Sequence, residues 1–341
     1  MMPHIAEPAI PKALFRTMTD CLAISNQSIA KAGTLLAAGQ LVAFPTETVY
    51  GLGADATNAA AVARIFAAKQ RPAFNPLISH VASADAAFTL GQKTPIAAAL
   101  ANAFWPGPLT LILQRNDDCP VAMLTTAGLD KIGVRVPAHH GAQTLLQAFG
   151  KPIAAPSANP SGRISPSTAK HVLDGLDGRL DLVLDGGSCE SGLESTIIDC
   201  SGEVARLLRP GGITRDAMAA ALAAANCNPQ IDIAEPLADR ENPVAPGQLA
   251  SHYAPKAPVR LMAKTSTDDE ELIGFGTVSG AGKLALNLSP KADLVEAAAN
   301  LFSMLHAVDA ANIVNIAIAP IPNTGLGEAI NDRLRRAAAP R

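Results

Sequence analysis

Short, mainly apolar runs alternate with amphipathic segments through the first 215 residues, which predicts alternating strands and helices. The strands are expected at Leu41–Phe44, Leu109–Leu113, Ile132–Val136, Pro152–Ala155, Asp181–Leu184 and Thr196–Asp199. Helices are expected at Ser28–Ala38, Ala142–Phe149, Thr168–Leu176 and Thr214–Ala225, the last two with a threonine able to cap them. This order of elements is typical of an α/β fold.

The segment 41–81 predicts a strand–helix–strand unit whose loops carry polar residues. Gly51 and Gly53 follow the first strand and are expected to let the backbone turn tightly. Asn58 suits the N-cap of the helix, which should end near Gln70 because a proline follows two residues later.

Lys69 and Arg71 leave this predicted helix together at its C-terminal end, where we expect both side chains on the surface. The helix dipole alone favours cations at that position. An isolated Lys-x-Arg pair is therefore explained equally well by a helix cap and by a binding site.

The chain changes character at about residue 226. Prolines recur from Asn226 to Pro258 too often for a long helix, which predicts a linker. Beyond it we expect strands at Val259–Met262, Leu272–Gly276, Leu284–Leu288 and Ile313–Ile318, and helices at Leu294–Val308 and Gly327–Ala338. The predicted organisation is a first domain at 25–215, a linker at 226–258 and a small Rossmann-like α/β domain at 259–341.

Composition and charge narrow the classes of function. With 341 residues, 48% of them apolar, the chain can bury a sizeable core, and two domains are the natural expectation. The net charge of −3 argues against a protein that coats nucleic acid. The five cysteines show no C-x-x-C pair and no zinc-type spacing with histidines, which favours a reducing cytoplasm. No signal peptide or membrane-spanning apolar run is recognised, so no membrane partner is predicted.

A series of motifs follows the segment 41–81 along the chain. They are Trp105–Thr110 (WPGPLT), Thr126–Leu129 with Val134–Pro137, Ala155–Gly162 (APSANPSG), Asp185–Gly187, Glu194–Ile198, Leu208–Gly211 and, later, Pro246-Gly247 with His252–Pro255. In this order they resemble the YrdC-like family of L-threonylcarbamoyladenylate synthases. The resemblance covers roughly residues 25 to 215, and the last motif is similar to the linker of the two-domain members.

This resemblance implies a twisted mixed sheet with flanking helices and a concave cleft. It also implies that L-threonine, bicarbonate and ATP are joined to L-threonylcarbamoyladenylate with release of pyrophosphate, for the modification of adenosine 37 in tRNA. ATP is thus a substrate, Mg²⁺ is its implied companion at a site the sequence does not locate, and downstream tRNA threonylcarbamoyl-transfer proteins are the implied partners.

The family's site residues carry over to matching positions of this sequence. The resemblance places Lys69, Arg71, Asn75, Asn159, Ser167, Arg209 and Tyr253 along ATP, with Lys69 and Arg71 as the catalytic residues. Around threonine it places Thr46, His80, Arg135, Ser157 and Ser195. Several cations are what the reaction needs, because bicarbonate, a carboxylate and a triphosphate must lie close together. The linker is implied to fold over the cleft, with Tyr253 near the phosphates.

Several of these residues also have ordinary structural explanations. Arg135 could point to solvent from its strand, and Ser157 could belong to a simple turn. Glu194 could be a general base or an anchor for its loop, and Tyr253 could only pack a domain interface. Gly282-Lys283 lacks the flanking residues of a P-loop, so any ATP site must be unconventional.

Two other functions remain open on the sequence alone. The first is an RNA-binding module with a basic cleft and steep salt dependence, against which the scarcity of Lys/Arg runs counts. The second is a carbamoyl-transfer domain like those of hydrogenase-maturation proteins, whose zinc-finger and acylphosphatase segments are not seen in this sequence. Pyrophosphate release that requires both L-threonine and bicarbonate would separate the three functions.

Overall fold

The computed structural model describes residues 18–234, 243, 245–247, 251–278 and 282–340. In these ranges the predicted mixed α/β fold is confirmed, with one large and one small sheet. The large sheet contains β1 (Asp20–Ala23), β2 (Val42–Phe44), β3 (Gly51–Asp55), β4 (Ile78–His80), β5 (Leu109–Gln114), β6 (Lys131–Arg135), β7 (Ile153–Ala154), β8 (Leu182–Asp185), β9 (Thr196–Asp199), β10 (Ala205–Arg209) and β11 (Ile231–Ile233). Its helices are α1 (Asn26–Ala37), α2 (Ala59–Lys69), α3 (Ala84–Leu90), α4 (Pro95–Phe104), α5 (His140–Phe149), α6 (Ala169–Leu176) and α7 (Arg215–Ala224).

The large sheet has the strand order β1-β8-β2-β3-β7-β4-β6-β5-β9-β10-β11 and mixes parallel with antiparallel pairs. β4 lies parallel to β6 with His80 beside Arg135, and β5 lies antiparallel to β6 with Thr110 beside Arg135. Paired residues of neighbouring strands point to the same face of a sheet. His80, Arg135 and Thr110 therefore lie in one row across the sheet, and the first two are predicted site residues.

A second, three-stranded parallel sheet has the order β12-β14-β13, formed by β12 (Val259–Arg260), β13 (Glu270–Ile273) and β14 (Asn315–Ile318). Helices α8 (Leu294–Ala310) and α9 (Leu326–Ala338) follow in the chain. The apolar core of this part also includes Val49, Leu193 and Tyr253, which come from outside it. The two parts of the molecule therefore share packed apolar surface.

The prediction of a tight turn at Gly51 and Gly53 is wrong, because both residues lie inside β3. A Cβ atom on Gly53 would lie 2.8 Å from the Phe44 ring and 2.9 Å from Ile153. Glycine at this position thus allows the neighbouring strands to lie close together, which is one of the known roles of glycine within sheets.

The strand predicted at Leu284–Leu288 is also absent from the described part of the chain. Ala285 has a φ of 51°, in the left-handed region, and Asn287 makes only an isolated bridge to Gly274. A left-handed residue interrupts an extended run, which explains the difference.

The sequence patterns missed β1, β3, β10, β11, α3 and α4. β11 lies inside the range predicted as linker and pairs parallel with β10, extending the large sheet by one strand. Other parts of the predicted linker, residues 235–242, 244 and 248–250, lie outside the described residues. In the described ranges, every helix is too short or too polar to cross a lipid bilayer.

Candidate active site

A cavity lies where the ends of several central strands meet residues 246–247 and 252–253. Of the residues that the resemblance assigned to a site, eight line it: Thr46, Arg71, His80, Arg135, Ser157, Ser195, Arg209 and Tyr253. Glu194, Pro246, Gly247 and His252 contribute further to its walls. The predicted residues are thus brought together from segments far apart in sequence.

Helix α2 positions the two predicted catalytic cations. The Asn58 side chain caps its first turn and the helix ends near Gln70, both as the sequence predicts. Gln70 itself is left-handed, with a φ of 52°, which the sequence did not predict. The expectation that Lys69 and Arg71 lie on the surface is wrong, because they are only 1% and 8% exposed. The left-handed Gln70 turns the chain inward at the helix end instead of letting it continue into solvent.

Backbone carbonyls hold both cations. The Lys69 ammonium donates to the carbonyls of Ser157, at 2.6 Å, and Asn159. Arg71 donates from Nε to the carbonyl of Asn75 and from Nη2 to that of Pro76. These contacts fix the two cations without neutralising their charge.

Arg209 completes a group of three buried cations, which we call the cation cluster: Lys69, Arg71 and Arg209. Arg209 donates to the carbonyl of Ser195 from Nε and Nη2. None of the three forms a salt bridge with a carboxylate among the described residues. A buried charge without a partner of opposite sign is costly. The arrangement therefore favours an anion in the cavity.

Burial has the expected effect on the ionisation of these cations. It lowers the pKa of Lys69 well below its usual value, with the neighbouring charge of Arg71 acting in the same direction. It lowers the pKa of Arg71 to about 9, so that this guanidinium stays charged at neutral pH. Burial also lowers the pKa of Arg209. A bound polyanion would shift all three pKa values upward again.

A second part of the cavity wall is polar, and its cation is paired with a carboxylate. Arg135 is buried, which contradicts the explanation that it points to solvent, and its Nη2 donates to Glu47 Oε1 at 2.7 Å and to Thr48 Oγ1 at 2.9 Å. The hydroxyl of Thr46 lies 2.7 Å from that of Thr48. This wall therefore offers hydroxyls and a paired guanidinium, which suit a small zwitterion better than a triphosphate.

His80 lies in the same row as Arg135 and is neutral at pH 7. Burial, together with the charge of Arg135, lowers the pKa of His80 to about 3. Its Nδ1 is buried without a hydrogen-bond partner in the described part of the chain. A neutral imidazole of such low pKa acts as a hydrogen-bonding group for a ligand rather than as a general base near neutral pH.

Other buried polar atoms around the cavity share this property. Four residues have side-chain atoms without a hydrogen-bond partner in the described ranges. These atoms are Oδ1 and Nδ2 of Asn75, Oδ1 of Asn159, Nδ1 of His252 and Oη of Tyr253. Buried polar atoms in native proteins are almost always hydrogen-bonded, so each of these needs an explanation. His252 and Tyr253 line the cavity, so a polar ligand there would supply the partners that their atoms lack.

The segment that carries His252 and Tyr253 closes one side of the cavity. Tyr253 has a φ of 63°, a conformation that is rare for a bulky residue and that concentrates at functional sites. Its ring packs on Phe302 of α8 with the centroids 5.8 Å apart. Gly247 lies so close that a Cβ atom there would be 2.8 Å from the Tyr253 hydroxyl. Tyr253 thus packs the domain interface with its ring and turns its hydroxyl to the cavity.

Glu194 acts as an anchor, one of the two roles left open by its sequence. Its Oε1 accepts a hydrogen bond from Ser165, and its Oε2 pairs with Arg333 of α9 at 2.8 Å. Burial raises the pKa of this carboxyl, but the charges of Arg333 and Arg209 outweigh that effect and hold it below its usual value. A carboxylate with so low a pKa is a poor proton acceptor.

The remaining predicted residues lie outside the cavity wall. Lys69, Asn75 and Asn159 are connected to lining residues by the hydrogen bonds described above. Ser167 does not line the cavity; its hydroxyl lies 3.1 Å from that of Ser303 on α8 and 3.3 Å from His171 Nδ1. Its assignment to ATP stays a prediction.

The sequence reasoning missed Arg333 altogether. This residue is three positions after the buried Ile330 and four before the buried Ala337, so it falls on the apolar stripe of α9. A charged residue on an apolar stripe is the signal that could have revealed it, because long charged side chains are rarely buried unless paired.

Comparisons with known proteins identify the family of this chain. A family model described as "Telomere recombination", for the Sua5, YciO and YrdC proteins, matches residues 34–211. A second, described as "Threonylcarbamoyl-AMP synthase, C-terminal domain", matches residues 213–339.

Two curated relatives named threonylcarbamoyl-AMP synthase are each 39% identical to this chain. The one from Bacillus subtilis matches over 97% of this chain and 98% of its own, and the one from Pyrococcus abyssi over 92% and 95%. The crystal structure of P. abyssi Sua5 complexed with L-threonine has a TM-score of 0.83 and 36% identity, covering 94% of this chain and 97% of that one. The chain therefore belongs to the threonylcarbamoyl-AMP synthase family.

Proposed function

We propose that this protein joins L-threonine, bicarbonate and ATP to threonylcarbamoyl-AMP in the cavity, releasing pyrophosphate. The relatives' names and the L-threonine complex of P. abyssi Sua5 support the activity and two substrates. The observation that carries the proposal is the cation cluster, whose three buried charges have no carboxylate salt-bridge partner among the described residues. A triphosphate is an anion of matching charge.

The reaction needs two bond-forming steps. The neutral threonine amine attacks the carbon of bicarbonate, and one N–H proton leaves with a hydroxide from that carbon as water, so that a carbamate remains. A carbamate oxygen then attacks the α-phosphorus of ATP, a new P–O bond forms, and pyrophosphate leaves with the electrons of the broken bond. Both steps bring anions together, so fixed cations and exact positioning supply the catalysis, and no covalent enzyme intermediate is required.

The two walls of the cavity suit the two substrates. We place the phosphates at Lys69, Arg71 and Arg209, and threonine at the wall with Thr46, His80 and Arg135. Ser195 lies between them, since its hydroxyl is 2.7 Å from Thr110 Oγ1 and 3.1 Å from Arg209 Nη2. Asn75, Asn159 and Tyr253 complete the ATP side of the assignment, and Ser157 completes the threonine side; Asn75, Asn159 and Tyr253 each have a side-chain atom without a partner among the described residues.

The proposal extends to the surroundings of the reaction. The described residues contain no group of three or more His, Cys, Asp or Glu side chains fit to hold a metal ion. We therefore propose that Mg²⁺ enters bound to the phosphate oxygens of ATP. All five cysteines are free thiols, in keeping with a reducing cytoplasm, where tRNA threonylcarbamoyl-transfer proteins would receive the product for adenosine 37.

We also propose the division into a catalytic domain at 25–215, a linker at 226–258 and a C-terminal domain at 259–341. The two matched family models meet between residues 211 and 213, and one apolar cluster is built mainly from the C-terminal part.

An omission assay tests the proposed activity. Pyrophosphate release from ATP is measured with L-threonine and bicarbonate together, with each alone and with neither. We expect release only when both are present. Release that ignores either substrate would contradict the proposal, and RNA binding with steep salt dependence but no turnover would favour the RNA-binding alternative.

Removal of the Tyr253 ring tests the role of the linker in retaining nucleotide. Tyr253→Ala in the full chain should raise the dissociation constant for ATP about tenfold, roughly 1.4 kcal/mol, because the segment no longer closes the cavity against water. Threonine affinity should change little. Calorimetric titration with each ligand measures both constants.

Phe302→Leu is the matched control, because it loosens the same ring stack from the C-terminal side without touching the cavity. We expect it to lower the unfolding temperature while leaving ATP affinity near that of the wild type. If Phe302→Leu weakens ATP binding as much as Tyr253→Ala, Tyr253 contributes only packing.

A further inference from the structure

Among the described residues, Arg333 of α9 is the most deeply buried cation outside the cation cluster. It contacts two residues of the cavity wall, Glu194 and Tyr253, and the carbonyl of Pro210, the residue after Arg209. Its side chain is 0% exposed, although it belongs to the C-terminal part of the chain. Nε donates to Glu194 Oε2, and Nη1 donates to the carbonyl of Pro210 at 2.8 Å. Its guanidinium carbon lies 5.3 Å from the centre of the Tyr253 ring.

Two of these contacts are to residues that are sequence neighbours of Ser195 and Arg209, which are predicted to bind substrate. Glu194 directly precedes Ser195, and Pro210 directly follows Arg209. Arg209 in turn donates hydrogen bonds to the carbonyl and the hydroxyl of Ser195. One guanidinium therefore holds both chain segments at positions adjacent to the residues that face the cavity.

The segment that follows Arg209 and the segment that follows Glu194 are packed against each other without free space. A Cβ atom on Gly211 would collide with the backbone of Ser195 and Thr196, so the segment after Arg209 lies directly on the segment after Glu194. Because tightly packed backbones move together, a displacement at Pro210 or Glu194 is transmitted to Arg209 and Ser195.

Arg333 also has a connection to the segment that closes the cavity. Asp332 accepts hydrogen bonds from Arg333 Nη1 and from Arg336 Nε, and the carbonyl of Arg336 accepts one from the backbone of His252. Together with the contact to the Tyr253 ring, this fixes the two linker residues to α9.

We propose that Arg333 is a positioning residue for ATP, through which the C-terminal domain sets the placement of Arg209 and Tyr253. The inference rests on the assignment of these two residues to ATP under Proposed function. It gives the C-terminal domain a direct contact with the loops of the first domain, in addition to its contact with the linker.

A three-variant comparison in the full chain tests this role. Arg333→Met removes all three contacts but leaves Glu194 buried without its cation. The double variant Glu194→Gln with Arg333→Met removes that unpaired charge and should recover unfolding temperature relative to Arg333→Met. Arg215→Met is the control, because Arg215 of α7 pairs with Glu328 of α9, another ion pair between the same parts of the chain, away from the cavity.

The dissociation constant for ATP, measured by calorimetry, is the deciding readout, since a smaller folded fraction changes the stoichiometry and not this constant. We expect it to rise at least tenfold in Arg333→Met and to stay raised in the double variant, with Arg215→Met unchanged. A return to the wild-type constant in the double variant, or an equal rise in Arg215→Met, would overturn the positioning role. Turnover of the wild type in the omission assay tests the proposed function separately.

Discussion

Lys69→Met and Arg71→Met should each reduce kcat/KM for ATP-dependent pyrophosphate release by a factor on the order of 30 to 1000. Each removes one of a few fixed cations that face a polyanion, a loss of about 2–4 kcal/mol of transition-state stabilisation. Methionine is chosen because both side chains are buried, and its length keeps the space filled. Initial rates at varied ATP concentration measure the effect.

Arg64→Met provides the matched control for this experiment. Arg64 is on the same helix as Lys69, but it pairs with Asp181 through Nη2 at 3.1 Å, whereas Lys69 donates to the carbonyl of Ser157 in the cavity wall. The Arg64→Met variant should keep kcat/KM within about twofold of the wild type, because a cation that is already paired with a carboxylate does not bind the phosphates of ATP. Circular dichroism confirms that each variant is folded. If Lys69→Met or Arg71→Met keeps more than about a tenth of wild-type kcat/KM, that residue does not belong to the site.

Replacement of L-threonine by L-valine should lower kcat/KM by a factor on the order of 10⁴. Valine matches threonine in shape but leaves the buried polar partners of the hydroxyl unpaired, whereas L-serine lacks only a methyl group and should lose about 10- to 200-fold. Among the three residues placed at the threonine wall, Thr46, His80 and Arg135, His80 is the one with a buried atom, Nδ1, that has no hydrogen-bond partner in the described part of the chain. Competition assays with the three amino acids measure these ratios.

His80→Phe is the companion variant, since phenylalanine keeps a ring in place and removes both nitrogens. The preference for threonine over valine should then fall to about 100-fold or less, approaching that of an apolar pocket. Equal turnover of threonine and valine by the wild type would contradict the placement of threonine at this wall. An unchanged preference in His80→Phe would transfer the recognition to Thr46 or Ser195.

Local features of the fold could be predicted from the sequence, because they depend on short stretches of chain. The strand Thr196–Asp199 has its predicted bounds, and Thr168 and Thr214 cap their helices as expected. Gly53 was misread because glycine has the same sequence signature in a turn and at a close contact between strands. Only the neighbouring Phe44 and Ile153 distinguish the two.

Contacts between residues far apart in the chain are the part of the candidate site that the sequence does not predict. The position of Lys69 and Arg71 at a helix end follows from local pattern. The carbonyls that accept from Arg71 are also local, but those that accept from Lys69 come 88 and 90 residues later in the chain. Arg333 and Glu194 are 139 residues apart, and neither has a local signal that names the other. Long-range pairing of this kind is set by the tertiary fold and has no periodicity in the sequence.

A crystal structure with L-threonine and a non-hydrolysable ATP analogue would test the central claim most directly, namely that the cation cluster binds the triphosphate beside threonine. The account predicts phosphate oxygens within hydrogen-bond distance of Lys69, Arg71 and Arg209, and threonine against His80 and Arg135. A triphosphate bound elsewhere, with the three cations still donating only to the carbonyls of Ser157, Asn75 and Ser195 and their neighbours, would contradict it.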